Sequence, residues 1–76
     1  MQYSFLGKYI KHLRIKNKIS LNKFALNNDI DSAILSRIEN LQQNIKVNVL
    51  VKIAKGFGMT PAEFLTEFEK FKGKLQ

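Results

Sequence analysis

Residues 20–40, SLNKFALNNDIDSAILSRIEN, hold two short helical patterns separated by a cluster of turn-forming residues. Apolar residues recur at helical spacing in both patterns: Leu21, Phe24 and Ala25 in the first, and Leu35 and Ile38 in the second. Helices this short are marginal in water on their own, because most of their stability must come from packing. The chain is therefore constrained to a fold in which several short helices share one core.

The rest of the chain shows the same kind of pattern. Apolar spacing predicts further helices over about 5–16, 47–57 and 61–72, which makes five in all. No segment alternates as a strand does, so we predict an all-α fold.

The expected helix ends are marked by specific residues. Ser20 and Asp31 are predicted N-caps of the second and third helices, and Ile30 and Leu35 have the spacing of a hydrophobic staple. Thr60-Pro61-Ala62-Glu63 is typical of a capping box with proline at the first helical position. Gly56 and Gly58 are expected to end the fourth helix.

Composition limits the class of protein. A chain of 76 residues predicts one domain, spanning 1–76. The chain has no cysteine, which excludes disulfides and thiolate metal sites and is typical of a reducing compartment. No apolar run is long enough for a signal peptide or a membrane span. We therefore expect a cytoplasmic protein.

The positive charge lies in the first two-thirds of the chain. Residues 1–55 contain ten Lys or Arg against three Asp or Glu, which gives +7, and residues 56–76 contain three of each sign. Such asymmetry favours a polyanionic partner, nucleic acid before an anionic membrane. A basic surface kept for solubility is the alternative that charge alone leaves open.

Two short helices, a tight turn at Asn27-Asn28-Asp29 and a basic surface together describe a helix-turn-helix. Ile30, Leu35 and Ile38 are expected to fix the third helix to the core. Its other face, with Ser32, Ala33, Ser36 and Arg37, then points outward. A helix presented in this way fits the DNA major groove.

Residues 6–65 resemble the Xre-type, lambda-repressor-like helix-turn-helix family. The resemblance rests on four segments in the family's order and spacing: LGKYIKHLR at 6–14, SLNKFA at 20–25, ILSRIEN at 34–40 and LVKIAKGFGMTPAEFL at 50–65. It implies a compact five-helix domain whose motif, at about 20–40, is formed by helices 2 and 3. It also implies a homodimeric transcriptional regulator, expected to be a repressor, that places helix 32–40 in the major groove of a pseudo-palindromic double-stranded DNA operator.

The same resemblance implies roles for individual residues. Arg14 and Glu39 are expected to form a partly buried ion pair, the alternative being two unrelated surface charges. Base reading is expected at Ser32, Ala33 and Arg37, with Ile34 as either reader or core residue. Arg37 is expected to contact a guanine or, equally, a phosphate. Backbone contacts, or else ordinary solvated positions, are implied for Ser20, Asn22, Asn40, Gln42, Gln43, Asn44 and Lys46.

The chain departs from the family pattern at several positions. Leu21 stands where a glutamine is usual, and Asp29 stands at the turn glycine, where a left-handed backbone is expected. Leu41 and Ile45 replace a glycine and a proline after the third helix. Asp31 would repel phosphates unless capping engages its carboxylate. These differences affect the expected strength of DNA contact more than the fold.

Phe64, Phe68 and Phe71 form an aromatic stripe on the last helix. We expect this stripe to form a dimer interface, and completion of the monomer core is the alternative. A rival function is an antitoxin-like or accessory module that binds a protein partner through this helix. Attachment to a membrane is disfavoured, because residues 56–76 carry no net charge.

Residues suited to catalysis are sparse. His12 is the single histidine, and Glu63, Glu67 and Glu69 have no histidine or cysteine near them in the sequence. Neither a metal site nor an acid–base pair is supported. We expect no enzymatic activity, metal or cofactor.

Overall fold

The computed structural model describes residues 5–74, with the side chains of residues 5–73. Within this range the chain forms helices and no strand, which confirms the all-α prediction. The helices are α1 (Leu6–Lys16), α2 (Leu21–Asn27), α3 (Ser32–Glu39), α4 (Val47–Gly56) and α5 (Pro61–Lys74). The predicted domain of 1–76 also includes residues 1–4 and 75–76, which lie outside the described residues.

Three helices begin at the caps that the sequence predicted. The Ser20 side chain accepts a hydrogen bond from the Lys23 backbone N–H, and Asp31 accepts from Ala33 and Ile34. At α5, Thr60 Oγ1 accepts from the Glu63 N–H at 3.1 Å, while Glu63 Oε1 accepts from the Thr60 N–H at 2.9 Å. This exchange is a complete capping box, and it fixes the direction in which α5 leaves the preceding turn.

The first four helices end in the same way, with one left-handed residue at the second position after the helix. These residues are Lys18, Asp29, Leu41 and Gly58, with φ of 57°, 55°, 60° and 73°. In each case two backbone N–H groups return to carbonyls of the last turn, as in the Schellman motif. The prediction for Asp29 is confirmed. Gly56 and Gly58 were predicted to end α4: Gly56 is its last residue, and Gly58 supplies the left-handed turn.

The core collects the inward faces of all five helices. Its buried apolar residues are Leu6, Tyr9, Ile10, Phe24, Ala25, Ile30, Leu35, Ile38, Ile53, Ala54, Phe64 and Phe68. Each helix contributes at least two of them, so none of the helices stands without the others. The two patterns that opened the sequence are therefore stabilised by tertiary contacts, as their length required.

Helix α1 meets α3 at an unusually close distance. A methyl group built at Gly7 would overlap the carbonyl oxygen of Ile38 and come within 2.9 Å of its carbonyl carbon. The absence of a side chain at Gly7 thus allows the two helix backbones to touch, and it sets the position of α3 on the scaffold. The role of Gly7 was not predicted from the sequence.

Candidate nucleic-acid interface

Helix α3 divides cleanly into an inner and an outer face. Leu35 and Ile38 are buried, and Ile34 is half-buried against the core. The outer face carries the predicted base-reading residues Ser32, Ala33 and Arg37, all exposed, and Ser36, which is half-buried. The structure thus places three of the four predicted readers in solvent and Ile34 at the boundary.

The start of α3 is ordered by Asp31. Its Oδ1 accepts hydrogen bonds from the Ala33 N–H at 2.8 Å and the Ile34 N–H at 3.3 Å. A carboxylate in this position also interacts favourably with the positive end of the helix dipole. Its charge is therefore partly neutralised by the helix that it begins, which reduces the expected repulsion of phosphates.

The end of α3 is held by a buried ion pair. Arg14 on α1 donates from Nε to Glu39 Oε2 and from Nη2 to Glu39 Oε1, both at 2.8 Å. The side chains are 11% and 3% exposed. The hydrogen bonds from Arg14 to Glu39 raise the pKa of the guanidinium further above its already high value. Such a bidentate pair fixes orientation as well as distance.

Arg14 has a third partner. Its Nη1 donates to the Ile19 carbonyl at 2.8 Å, in the turn between α1 and α2. One guanidinium thus connects α1, the entry to α2 and the end of α3. The relative position of the two helices of the motif depends on this side chain.

The turn between α2 and α3 is braced from α4. Lys52 Nζ donates to the Asp29 carbonyl at 2.8 Å and lies 3.6 Å from its carboxylate. The Asn28 side chain donates to the Phe24 carbonyl and packs directly over Gly56, where a methyl group would come within 2.8 Å of it. Asn28 and Asp29, the last two residues of the predicted turn, are therefore both in contact with α4.

The comparisons with known proteins agree with this geometry. A family model described as helix-turn-helix matches residues 10–64, which is more than half of the chain. The chain belongs to the Xre-like helix-turn-helix family. The control protein C.MunI of a Mycoplasma species is 37% identical over 65 residues, which cover 84% of this chain and 88% of that protein. No solved structure matches the chain significantly.

Membership of the Xre-like family makes the chain a DNA-binding transcriptional regulator. Regulators of this family are generally not enzymes. Among residues 5–74, no helix combines the length and apolar character needed to cross a membrane. Helices α2 and α3 both lie within the part of the chain that the family model matches.

The remaining predicted contact residues lie at the start of α2 and in the connector 40–46. Ser20 and Asn22 are exposed beside the first turn of α2. Asn40, Gln42, Asn44 and Lys46 are exposed, and Gln43 is half-buried. Two connector side chains turn back to α3: Asn40 Nδ2 donates weakly to Ser36 Oγ at 3.4 Å, and Gln43 Oε1 accepts from Arg37 Nε at 2.9 Å.

The prediction of a dimer interface at Phe64 and Phe68 is wrong. Both side chains have no exposed surface, so neither is able to contact a second copy. They pack on Tyr9, with ring centroids 5.2 and 5.9 Å away. Phe71 is half-buried between Tyr9 and His12, at 5.2 and 5.0 Å. These two rings fill the small core of the monomer, which was the alternative interpretation. For the same reason, Phe64 and Phe68 are not available to bind a protein partner.

A different surface is apolar. Leu41, Val47 and Val51 are 45%, 76% and 43% exposed. Leu41 and Val47 border a groove of about 650 Å³ between α1, the end of α3, the connector, α4 and α5, and no charged residue lines it. We call this surface the α4 groove; its apolar lining is Leu6, Ile38, Leu41, Ile45, Val47, Leu50 and Leu65. The groove was not predicted from the sequence, because the apolar spacing that marks the helix over 47–57 does not show that Val47 is exposed.

Proposed function

We propose that this regulator is a repressor that binds a pseudo-palindromic operator as a homodimer, with α3 in the major groove. The observation that carries the proposal is the outer face of α3. Its inner face, start and end are all fixed to the scaffold, while Ser32, Ala33 and Arg37 remain exposed. A helix held in this way pays little conformational entropy when its side chains meet base edges.

The charge distribution supports the same proposal. Of the acidic residues between positions 5 and 55, Asp29 faces Lys52, Asp31 caps α3 and Glu39 pairs with Arg14. Within the described residues, no carboxylate lies within 4.0 Å of Arg37 or Lys46. These cations therefore remain available for phosphate oxygens or guanine.

The α4 groove is the surface that we assign to the second copy. A two-fold interface brings each residue near its own equivalent region, so an uncharged apolar patch on a basic protein suits it better than any cationic face. The molecule measures 31 × 25 × 23 Å. The proposal requires a two-fold axis that sets the two α3 helices one DNA turn apart, ~34 Å, which is comparable with the longest dimension of one copy.

The relative named as a control protein adds support for a role in gene control. Repression follows when the dimer occupies an operator that overlaps a promoter and excludes the polymerase. The proposal also places the protein in the cytoplasm, with the DNA that it binds.

The DNA-binding test begins with selection of binding sites from random double-stranded DNA. We expect an inverted repeat whose half-site centres lie about one helical turn apart. Arg37→Ala should relax the preference at one base pair by about ten-fold or more. Lys46→Ala should weaken all sequences alike and lower the salt slope by about one. Lys70→Ala, on α5, is the control; selection that yields no consensus refutes the proposal.

The dimer is tested separately by sedimentation at high micromolar concentration. Val47→Lys places a charge in the α4 groove and should give a monomer, whereas Ile15→Lys, at an exposed apolar site on α1, should not change the oligomeric state. A wild-type monomer under these conditions would refute the homodimer. A dimer that persists in Val47→Lys would move the interface to another surface.

A further inference from the structure

The base-reading arginine is already held in the free protein. Arg37 Nε donates to Gln43 Oε1 at 2.9 Å, although both residues were expected to contact DNA independently. Arg37 is exposed on the last turn of α3, and Gln43 is half-buried in the connector that follows. The contact therefore joins a helix to the segment after it, six residues along the chain.

The connector is fixed well enough to act as a support. Leu41 adopts the left-handed conformation, and the Gln42 N–H donates to the Arg37 carbonyl at 2.8 Å. Gln43 follows directly and lines the α4 groove. Its side chain is thus attached to a backbone that folds back over the end of α3.

The choice of nitrogen determines how the guanidinium meets a base. Arginine offers five N–H donors in a planar fork. With Nε engaged by Gln43, the terminal Nη1 and Nη2 remain, and together they match the O6 and N7 acceptors of guanine. Because the group is planar, a hydrogen bond at Nε also orients the plane of the fork.

We propose that Gln43 is a positioning residue that presents Arg37 end-on to a guanine. The amide oxygen of Gln43 holds Nε, and its –NH₂ group keeps two donors for other acceptors. Part of the ordering of a long flexible side chain then precedes DNA binding. The proposal rests on the proposed function, since it requires that Arg37 reads a base.

The competing role is a direct phosphate contact by Gln43. Such a contact acts independently of Arg37 and does not discriminate among base pairs. A double-mutant cycle separates the two roles, because only a positioning residue loses its effect when Arg37 is absent.

The experiment measures DNA affinity by fluorescence anisotropy. One DNA is the selected operator, and the others are altered at the base pair for which Arg37→Ala loses its sequence preference. Gln43→Ala should weaken operator binding about three- to ten-fold and reduce discrimination at that base pair. In the Arg37→Ala background it should have no further effect. Gln43→Glu retains an acceptor for Nε and should restore the discrimination, even where added charge weakens all sequences. Asn27→Ala, which removes an exposed amide at the end of α2 outside the predicted contact residues, is the matched control.

A second measurement needs no DNA. The ¹⁵N relaxation of Arg37 Nε should show an ordered group in the wild type and Gln43→Glu, and a mobile one in Gln43→Ala. Equal losses from Gln43→Ala with and without Arg37, or an Nε unaffected by Gln43→Ala, would overturn the positioning role alone. Unchanged discrimination in Arg37→Ala would instead refute base reading by Arg37, and the positioning role with it.

Discussion

Replacement of Gly7 by alanine is the sharpest test of how α3 is placed. The added methyl group would meet the Ile38 carbonyl group, with only 2.9 Å between carbon atoms and overlap at the oxygen. Comfortable contact between carbon atoms begins near ~3.5 Å. Relief therefore requires α1 and α3 to separate by on the order of 1 Å, and a backbone carbonyl has no rotamer with which to move aside.

Two opposing terms set the magnitude. Alanine is the better helix former, worth up to about 1 kcal/mol over glycine. Overpacking of a core contact costs about 1–3 kcal/mol, and here the opposing atoms are backbone. We expect a net loss of about 2 kcal/mol, from a total that is roughly 4–11 kcal/mol for a domain of this size. At about 4–8 °C for each kcal/mol, the midpoint should fall by roughly 8–16 °C.

Thermal and urea denaturation followed by far-UV circular dichroism measure this loss. Gly73→Ala is the matched control: it also lies within a helix, but a methyl group there meets nothing within 4 Å. The control should be neutral or slightly stabilising. If Gly7→Ala melted at or above the wild-type temperature, the close approach of α1 and α3 would not control the position of α3.

Three further substitutions test other contacts. Glu39→Ala leaves Arg14 buried without its partner and should lower the free energy of unfolding by about 3–5 kcal/mol, measured by urea denaturation. Glu67→Ala, in an exposed pair on α5, is the control and should lower it by less than about 1 kcal/mol. Equal losses would exclude a structural role for the Arg14–Glu39 pair. Thr60→Ala removes the capping box and should cost about 1 kcal/mol, and no change in the midpoint would contradict it. Burial, and secondarily Glu67, raise the pKa of Tyr9 in the folded protein. The neutral hydroxyl therefore stabilises the fold fully at pH values below the pKa of Tyr9 in the unfolded chain, and this stabilisation is lost as the pH rises through the pKa in the folded protein. The free energy of unfolding should therefore fall less steeply above about pH 10 in Tyr9→Phe than in the wild type; identical slopes would refute this.

The features that could be predicted from sequence are those set by near neighbours in the chain. Ser20, Asp31 and the Thr60–Glu63 box bond to backbone groups two or three residues away, so their roles depend little on the rest of the fold. The apolar spacing of α3 likewise identified Leu35 and Ile38 as buried. These local signals were enough to predict the five helices and the helix-turn-helix motif that α2 and α3 form.

The features that could not be predicted depend on contacts between distant segments. Lysine and leucine do not themselves favour the left-handed backbone that Lys18 and Leu41 adopt, which costs a residue with a side chain about 1–2 kcal/mol. The return of Ile19 and Gln42 N–H groups to the preceding helices, and the packing beyond them, impose it. The stripe at Phe64 and Phe68 was equally ambiguous, because helical spacing shows which residues share a face but not what covers that face.

The net charge of the sequence also does not show which structural contacts the acidic residues make. Asp29, Asp31 and Glu39 each reduce the net charge that favours DNA, yet each one contacts the turn, the start or the end of α3. The exposed pair of Asp29 with Lys52 contributes little by itself, but the bond from Lys52 to the Asp29 carbonyl fixes the turn. Glu39 contributes most, since it is buried and bidentate. Two of the three carboxylates that a net-charge argument sets against DNA binding, those of Asp31 and Glu39, therefore help to hold α3 in place.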